Sequence, residues 1–409
     1  MDSRIGDYMR ARRYIGAKDR KEIVERVYDI VRHQARIGWW LERNTLEDTP
    51  RHRVIAWLAL GEGLDEKRFA DLFDGSKYAP APIDEEEHAF IRSVLGKSLL
   101  HADMKDAVQA ECPSLFADTL HKRFGKDFMA EMKAMLEPAP LDLRVNSFQI
   151  SREDAARSLA KDGVETTPTP YSPWGLRCAD KAYLSKTKAF HKGWIEIQDE
   201  GSQLIAHICG AKPGMQVLDY CAGGGGKTLA LAAAMERKGR IVAADNDEKR
   251  LEKGRRRYKK AGLSDIIEVR PLSEEKHRKW FKRQKGAFDI VLVDAPCSGS
   301  GTWRRNPDLR WNAYGPALEE LLPVQAEILD KAAGAVKPGG RLVYATCSLF
   351  PEENEAQIST FLERHSDFSL YPLEKAYPEF CTESLMRLTP HRHKTDGFFA
   401  AVMVRNRQD

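Results

Sequence analysis

From about residue 204, short apolar runs alternate with helix-period segments, and no other feature of this 409-residue sequence restricts its fold as tightly. Residues 215–219 read as a strand and 227–236 as a helix; 240–245 and 247–261 repeat the pair. A short strand follows at 266–269, a central one at 289–294 and a long helix at 319–335. Pro338-Gly339-Gly340 then turns into a strand at 342–346, and a last strand at 398–404 is entered through Asp396-Gly397. Alternation of this kind builds an open α/β sheet of Rossmann-like type, with helices on both faces. Ligands of such sheets lie outside the carboxyl ends of the strands. Three of those exits carry unusual residues.

The first exit runs from Val217 through Asp219, Tyr220, Cys221 and Ala222 into the glycines 223–226, Lys227 and Thr228. Glycines allow close approach of a ligand, and the start of the next helix offers free backbone N–H groups. The run GGGGKT imitates a nucleotide P-loop, but the first glycine of that motif would fall at Cys221. About 20 residues on, at the next strand end, Asp245 can accept both hydroxyls of a ribose. A nucleoside cofactor is implied. NAD is open, although the turn lacks GxGxxG in its ordinary place. S-adenosylmethionine carries a ribose, an adenine and an amino-acid end but no phosphate. Asp219 could accept its ammonium group and the loop N–H groups its carboxylate.

The other two exits each carry a cysteine: Asp294-Ala295-Pro296-Cys297, then a glycine- and arginine-rich tail, and Cys347 within 341–354. A lone cysteine is ordinarily a small buried hydrophobe. Two of them at strand exits beside a methyl-donor turn suit methylation of carbon 5 of a pyrimidine. That carbon becomes nucleophilic only after a thiolate adds to carbon 6. Asp294 can hydrogen-bond or protonate ring nitrogen 3 and so stabilise the developing charge. A second thiol, or a base near it, then helps to remove the carbon 5 proton and expel the first cysteine. The base must leave its stack, which favours unpaired RNA. The chemistry alone does not choose which cysteine attacks. The tail after Cys297, including Arg304 and Arg305, reads as pocket rim and RNA-backbone contact.

Composition narrows the class further. The formal net charge is only +4, with 31% charged residues. Basic residues concentrate locally at 276–285 and 254–260, runs that suit a polyanion or are simply solvated helix faces. The seven cysteines show no CxxC and no zinc spacing, so no metal is expected. An odd count without a signal peptide fits a reducing, cytoplasmic compartment. No run of about 18 apolar residues is present, and no membrane span is expected. Residues 1–137 read as an all-helical domain, with early cations (Arg10, Arg12, Arg13, Lys18, Arg20, Lys21) that are either RNA contacts or ordinary helix surface. Pro138-Ala139-Pro140 is a joint. Residues 138–203 then read as a small α+β module, with strands at 141–146 and 194–199, strand and turn at 164–177, and a helix at 151–162 capped by Ser151. Residues 204–409 form the catalytic domain.

The motifs together resemble the Nop/Sun family of S-adenosylmethionine-dependent RNA cytosine-C5 methyltransferases, in its bacterial ribosomal RNA branch. The matching runs are LDYCAGGGGKT (218–228), AADNDEKRL (243–251), FDIVLVDAPCSGSGTWRRNPDLRW (288–311), LVYATCSLFPEEN (342–354) and DGFFAAVM (396–403), with Leu143-Arg144-Val145-Asn146 and 197–202 ahead of them. The resemblance covers about 140–405, and the helical N-terminus is similar to the NusB-like domain of that branch. It implies that Cys347 is the nucleophile, that Cys297 assists product release, and that Asp294 engages the base and borders the cofactor. The cofactor loop would be Cys221, Ala222, Gly223, Gly224, Gly225, Gly226 and Lys227, the lysine positioning, with Asp245 on the ribose. It further implies S-adenosylmethionine with S-adenosylhomocysteine as product, and a monomer acting on RNA, small-subunit (16S) ribosomal RNA first and transfer RNA as the alternative. Two departures stand out. Gly223-Gly224 replace the family's Ala-Pro, which loosens the turn. The family's aspartate near the adenine is Ser273 here, with Glu274 adjacent, so one of these two takes over that contact. Rival readings are a non-catalytic RNA-binding or assembly factor, favoured by Ser273 and the basic runs, an amino-methylating enzyme, and a NAD oxidoreductase. The last two lack their motifs.

Overall fold

In the computed structural model, which describes residues 1–311 and 316–407, thirteen strands build two sheets among the described residues. The smaller sheet has the order β2-β3-β1-β4 and is antiparallel throughout: β1 (Asp142–Val145), β2 (Thr166–Pro168), β3 (Gly175–Cys178) and β4 (Ile195–Ile197). The helix Arg152–Lys161 begins at Ser151, whose Oγ accepts from the Asp154 N–H at 3.1 Å. Its Ala155 and Leu159 pack on Leu143, Leu176 and Ile195.

The larger sheet contains β5 (Gln216–Asp219), β6 (Arg240–Asp245), β7 (Ile267–Pro271), β8 (Phe288–Asp294), β9 (Val336–Thr346), β10 (Phe368–Leu370), β11 (Cys381–Thr382), β12 (Leu385–Leu388) and β13 (Phe398–Arg405). Its order is β11-β12-β13-β9-β8-β5-β6-β7, with β10 on β13. Strands β7, β6, β5, β8 and β9 are parallel, and β13 runs against β9. The chain leaves β5 towards β6 and β7, then returns to the other side of β5 with β8. The order therefore reverses between β5 and β8, where an open sheet leaves a crevice at its strand ends.

Both faces of this sheet are covered, which is why its strands read as continuous apolar runs. Val217, Ile241, Ile290 and Val343 pack with Leu204 and Leu229 on one side. Their neighbours Leu218, Val242, Val291 and Leu342 pack with Leu329, Ile358 and Phe361 on the other. Each such side chain contributes roughly 1.5–3 kcal/mol by leaving water. One element differs from its expected form. Strand β9 starts at Val336, before the Pro338-Gly339-Gly340 turn. Phe288 pairs with Val336 but Ile290 with Arg341, so the turn is a bulge within the strand. Pro338 has no N–H to give to the ladder, and Gly339 sits at φ +77°.

A second unit comprises Met1–Leu136 and Asn306–Ala313. Among its described residues the regular elements are helices, around a core that includes Ile37, Trp40, Leu41, Ile55, Phe69 and Phe90. The helix starts are encoded locally. Thr49 caps Pro50–Leu60, and Asp84 with Glu87 forms a capping box on Glu85–Val94. Within this unit Arg310 is 1% exposed and donates to the Glu111 and Met135 carbonyls at 3.3 and 3.1 Å. No described helix is long and apolar enough to cross a membrane.

Candidate active site

The exits of β5, β6, β8 and β9 border one cavity of about 830 Å³. Asp245, Ser273, Cys221, Asp294, Cys297 and Cys347 all line it. Leu272, Phe281 and Pro296 add apolar wall.

The glycine turn is shaped by contacts that exclude side chains. Gly223 and Gly225 have φ +53° and +76°. A Cβ on Gly225 would stand 2.1 Å from the Tyr258 hydroxyl oxygen. Three of the N–H groups expected to face a ligand are used inside the protein. Ala222 N donates to Ala244 O at 2.9 Å, Gly225 N to Ala222 O at 2.9 Å, and Gly223 N to Asp245 Oδ2 at 2.7 Å. Two arginines hold the turn's carbonyls. Arg257 Nη1 donates to Gly224 O at 2.5 Å and pairs with Glu196 of β4 at 2.8 Å. Buried Arg144 of β1 donates to Gly226 O at 2.5 Å and to Gln198. The small sheet thus braces the turn that the large sheet presents.

Asp219, expected at the ammonium end of the cofactor, is placed elsewhere. Its side chain is buried beneath the turn and accepts from Thr228 Oγ1 at 2.6 Å. Burial pushes its pKa up to about 7. Asp245 does border the cavity, and its other oxygen accepts from Asp247 N at 2.8 Å. Of the two candidates after β7, Ser273 lines the cavity, whereas the Glu274 carboxylate is paired with Lys276 at 2.6 Å. Cys221 lines it as well, its thiol held protonated by burial. Lys227 is buried and bonds Asp294 Oδ2 at 2.7 Å. Burial, the largest single influence, would lower the pKa of this lysine, but the charge and hydrogen bond of Asp294 together with smaller contributions from Cys347 and Asp219 outweigh it, and the pKa is raised. Lys227 is therefore engaged by a carboxylate rather than free for a phosphate.

Cys297 Sγ and Cys347 Sγ lie 3.5 Å apart. The hydrogen bond with Cys347, then burial, pushes the Cys297 pKa well above the ordinary thiol value. Residues that the sequence reading quoted without a role hold the two cysteine loops together. Glu353, fully buried, accepts from Ser298 N and Gln325 Nε2 at 2.8 and 2.9 Å through Oε1, and from Ser298 Oγ at 2.5 Å through Oε2. Ser300 Oγ accepts from Leu349 N at 2.8 Å, and Asn354 Nδ2 donates to Ser348 O at 2.9 Å. Gly301 N donates to the Cys347 carbonyl at 2.9 Å. Polar residues clustered at a joint between an apolar strand and a helix were the available signal.

The arginine tail needs correction. Arg304 is 5% exposed and bonds Asp396 and Asp199, and Arg305 bonds the same two carboxylates. This four-residue charge cluster fixes the loop after Cys297 and leaves Arg304 unable to meet RNA. The 276–285 run is the helix Glu275–Lys282 and its exit; Arg278, Lys282 and Lys285 reach the cavity.

The donor set suits a phosphate-free nucleoside bearing positive charge. The carboxylates Asp245 and Asp294 flank the cavity, its wall is partly apolar, and the one turn lysine is already paired. S-adenosylmethionine meets these requirements. At the turn a pyrophosphate would face these two carboxylates, while the lining cations Arg250, Arg278, Lys282, Lys285 and Lys331 belong to other elements. Among the described residues no His, Cys, Asp or Glu group is arranged to hold a metal ion.

Comparisons with known proteins agree with this chemistry. Residues 207–404 match the family described as 16S rRNA methyltransferase RsmB/F, and residues 112–183 match its RsmF/B-like ferredoxin-like domain. The probable ribosomal RNA small subunit methyltransferase B of Synechocystis sp. is 32% identical over 94% of this chain and 90% of its own length. The ribosomal RNA small subunit methyltransferase B of Pectobacterium carotovorum is 28% identical over 96% and 92%. The crystal structure of PH0851 superimposes with a TM-score of 0.79 at 29% identity, covering 97% of this chain and 93% of that one. A methyltransferase homolog protein from Pyrococcus horikoshii gives 0.62 at 32% identity, over 73% and 97%.

Proposed function

The chain belongs to the 16S rRNA methyltransferase RsmB/F family, an S-adenosylmethionine-dependent RNA cytosine-C5 methyltransferase, and on that premise we propose that it methylates a cytosine of 16S ribosomal RNA through a covalent adduct at Cys347. The observation that carries this reading is the pair of thiols 3.5 Å apart at the exits of β8 and β9, opening with Asp294 into one cavity.

The pair is asymmetric. Either thiol can donate across the 3.5 Å contact; in this reading Cys297, whose pKa is raised by the contact and by burial, keeps its proton and leaves an electron pair on Cys347. The Cys347 sulfur adds to carbon 6 of the flipped cytosine as its proton passes by way of Asp294 to ring nitrogen 3. The electrons of the carbon 5–carbon 6 double bond thus shift onto a ring that has gained a proton and carries no net negative charge. Lys227 keeps the Asp294 carboxylate oriented. The cofactor, when bound, supplies a methyl group activated by a sulfonium. Afterwards carbon 5 gives its proton to a base in the cavity, the sulfur–carbon 6 bond breaks, and its electron pair returns to Cys347. Cys297 is placed to donate its S–H to that departing thiolate. Asp245 holds the ribose and Ser273 flanks the adenine in this reading.

We read the helical unit as a NusB-like RNA-binding domain. Exposed Arg13 lies between its first two helices, and Lys18 and Lys21 follow, each near a glutamate of its own helix. A non-catalytic assembly factor would have no use for two neighbouring thiols in the cofactor cavity, and that favours the enzyme reading. Bisulfite mapping of total RNA from cells with and without the protein tests the substrate. One 5-methylcytosine should vanish from 16S ribosomal RNA; loss of a transfer RNA site instead would move the enzyme to that substrate.

A further inference from the structure

The helix Glu248–Lys260 has faces with different tasks. Leu251, Gly254 and Tyr258 point inward and are buried. Arg250 and Arg257 lie on the flank towards the glycine turn, where Arg250 lines the cavity and Arg257 holds Gly224 O. Opposite the buried face stand Lys249, Lys253, Arg256 and Lys260. Their spacing of four, three and four residues puts them on one stripe of a helix. The first three are exposed. Lys260 is half-buried, its Nζ 3.6 Å from the centroid of the Phe190 ring.

An ordinary solvated helix face mixes charges, as Lys18 with Glu22 and Lys21 with Glu25 do in the helix Ala17–Arg32. This stripe carries four cations and no acid. Among the described residues none of the four pairs with a carboxylate. The two acids of the helix, Glu248 and Glu252, lie on the remaining flank, where Glu252 is matched by Arg255 at 3.1 Å. Like charges at such spacing repel, and among the described residues no carboxylate stands at ion-pair distance from them.

The stripe also leads somewhere at each end. Its start adjoins Asp245, Asn246 and Arg250 at the cavity rim. Its far end abuts the small module. A Cβ on Gly193 would stand 2.3 Å from the Lys260 carbonyl oxygen, and Asn146 Nδ2 donates to both Gly193 O and Ala261 O, at 3.2 and 3.0 Å. Exposed Lys192 precedes Gly193 in the chain, and exposed Lys188 opens the short helix Lys188–His191 just before it. A helix of this length spans about 20 Å.

We propose that Lys249, Lys253, Arg256 and Lys260, continued by Lys188 and Lys192, form a track for the RNA backbone next to the target cytosine, ending at the cavity rim. The proposal rests on the RNA-methylating reading above and names the surface on which that RNA lies. A polyanion with evenly spaced charges offsets the repulsion along the stripe, and the rim is where an extruded base must enter.

The test uses the full chain carrying Lys253→Gln, Arg256→Gln and Lys260→Gln, with a protein-free 16S ribosomal RNA transcript as probe. RNA binding is measured over a salt series. At low salt affinity should fall by about tenfold or more, and the slope of log K against log salt should flatten by about 2, since each lost single-strand phosphate contact removes about 0.7. S-adenosylmethionine affinity should match the wild type, and the urea midpoint should be no lower, since the variant relieves repulsion along the stripe. Because Lys260 touches Phe190, the pair Lys249→Gln and Lys253→Gln serves as a second variant that alters only solvated side chains, and it should flatten the slope by about 1.4. Unchanged affinity and slope in both variants would overturn the track. The same wild-type preparation is assayed for 5-methylcytosine on the transcript. Binding without methylation refutes the proposed reaction and still scores the track, whereas methylation with indifferent variants refutes the track alone.

Discussion

In the proposed reaction the two thiols at contact distance have separate tasks, which single substitutions can tell apart. Cys347→Ala removes the attacking sulfur, so turnover should drop by at least about 1,000-fold, as expected when covalent catalysis is lost, and no RNA–protein adduct should form. Cys297→Ala leaves the attack possible but removes the S–H that helps the sulfur leave. A denaturing gel should then show an adduct that persists with RNA present. Adduct formation by Cys347→Ala would reverse the two assignments. Asp219 offers a second residue-level test. Its folded-state pKa is about 7 against an ordinary 3.8, from burial. Between those values the folded protein keeps a proton that the unfolded chain releases. This group's contribution to stability is therefore fully present below about pH 4 and is lost as pH rises towards about 7. Asp219→Asn removes that term, so its urea midpoint should decline less over this window than that of the wild type, while buried Glu111, also near 7, keeps part of the slope in both. Equal slopes would show that Asp219 is charged in the folded protein. The cysteines were legible in the sequence because each ends a recognisable strand. Glu353 was not, because its role depends on two loops 55 residues apart in sequence meeting at one carboxylate.

At the scale of elements, the glycine turn shows what a strand-and-helix reading finds and what it misses. The alternation located β5, β6 and β8 and hence the crevice, since each strand buries both faces and so reads as an apolar run. The short strands β10, β11 and β12 escaped, because two to four residues carry too little periodicity to register. The bracing of the turn was equally hidden, for it joins Arg144, Glu196 and Arg257 across two sheets. Four successive glycines lose more conformational freedom on ordering than other residues, and these carbonyl contacts hold them in place. Arg257→Met keeps the stem of the side chain but removes both the Gly224 contact and the Glu196 pair. A hydrogen bond involving a charged group is worth about 1.5–3 kcal/mol, so S-adenosylmethionine should bind roughly tenfold or more weakly, a loss of at least about 1.4 kcal/mol. Affinity for RNA should stay close to wild type. Calorimetry returning the wild-type cofactor affinity would mean the turn is ordered without Arg257.

At the scale of the whole molecule, chain order and folding units do not coincide. The helical unit includes Asn306–Ala313 as well as Met1–Leu136. A sequence reading that cuts at the proline joint cannot see this, since nothing in Asn306-Pro307-Asp308-Leu309-Arg310-Trp311 marks it as part of a helical core. Its contacts inside that unit are specific. Asp308 accepts from the Met1 ammonium at 2.8 Å, Trp311 Nε1 donates to Val31 O at 2.7 Å, and Arg310 donates to Glu111 O and Met135 O. Burial lowers the Arg310 pKa to about 10, a cost that persists only because those carbonyls and the Glu111 charge face it. A fragment of residues 1–136 would leave the Glu111, Met135 and Val31 carbonyls without these donors. Each unsatisfied buried group costs about 1–3 kcal/mol, so the fragment should unfold at a lower urea concentration than the same helices do in the full chain, read by hydrogen exchange of Ile37 and Trp40. A synthetic peptide of residues 304–311 added in excess should raise the fragment's midpoint saturably, and the same peptide with Arg310→Ala should not. If the fragment alone matches the full chain and ignores the peptide, the segment contributes nothing to the helical core, and its burial there is incidental to the unit's stability.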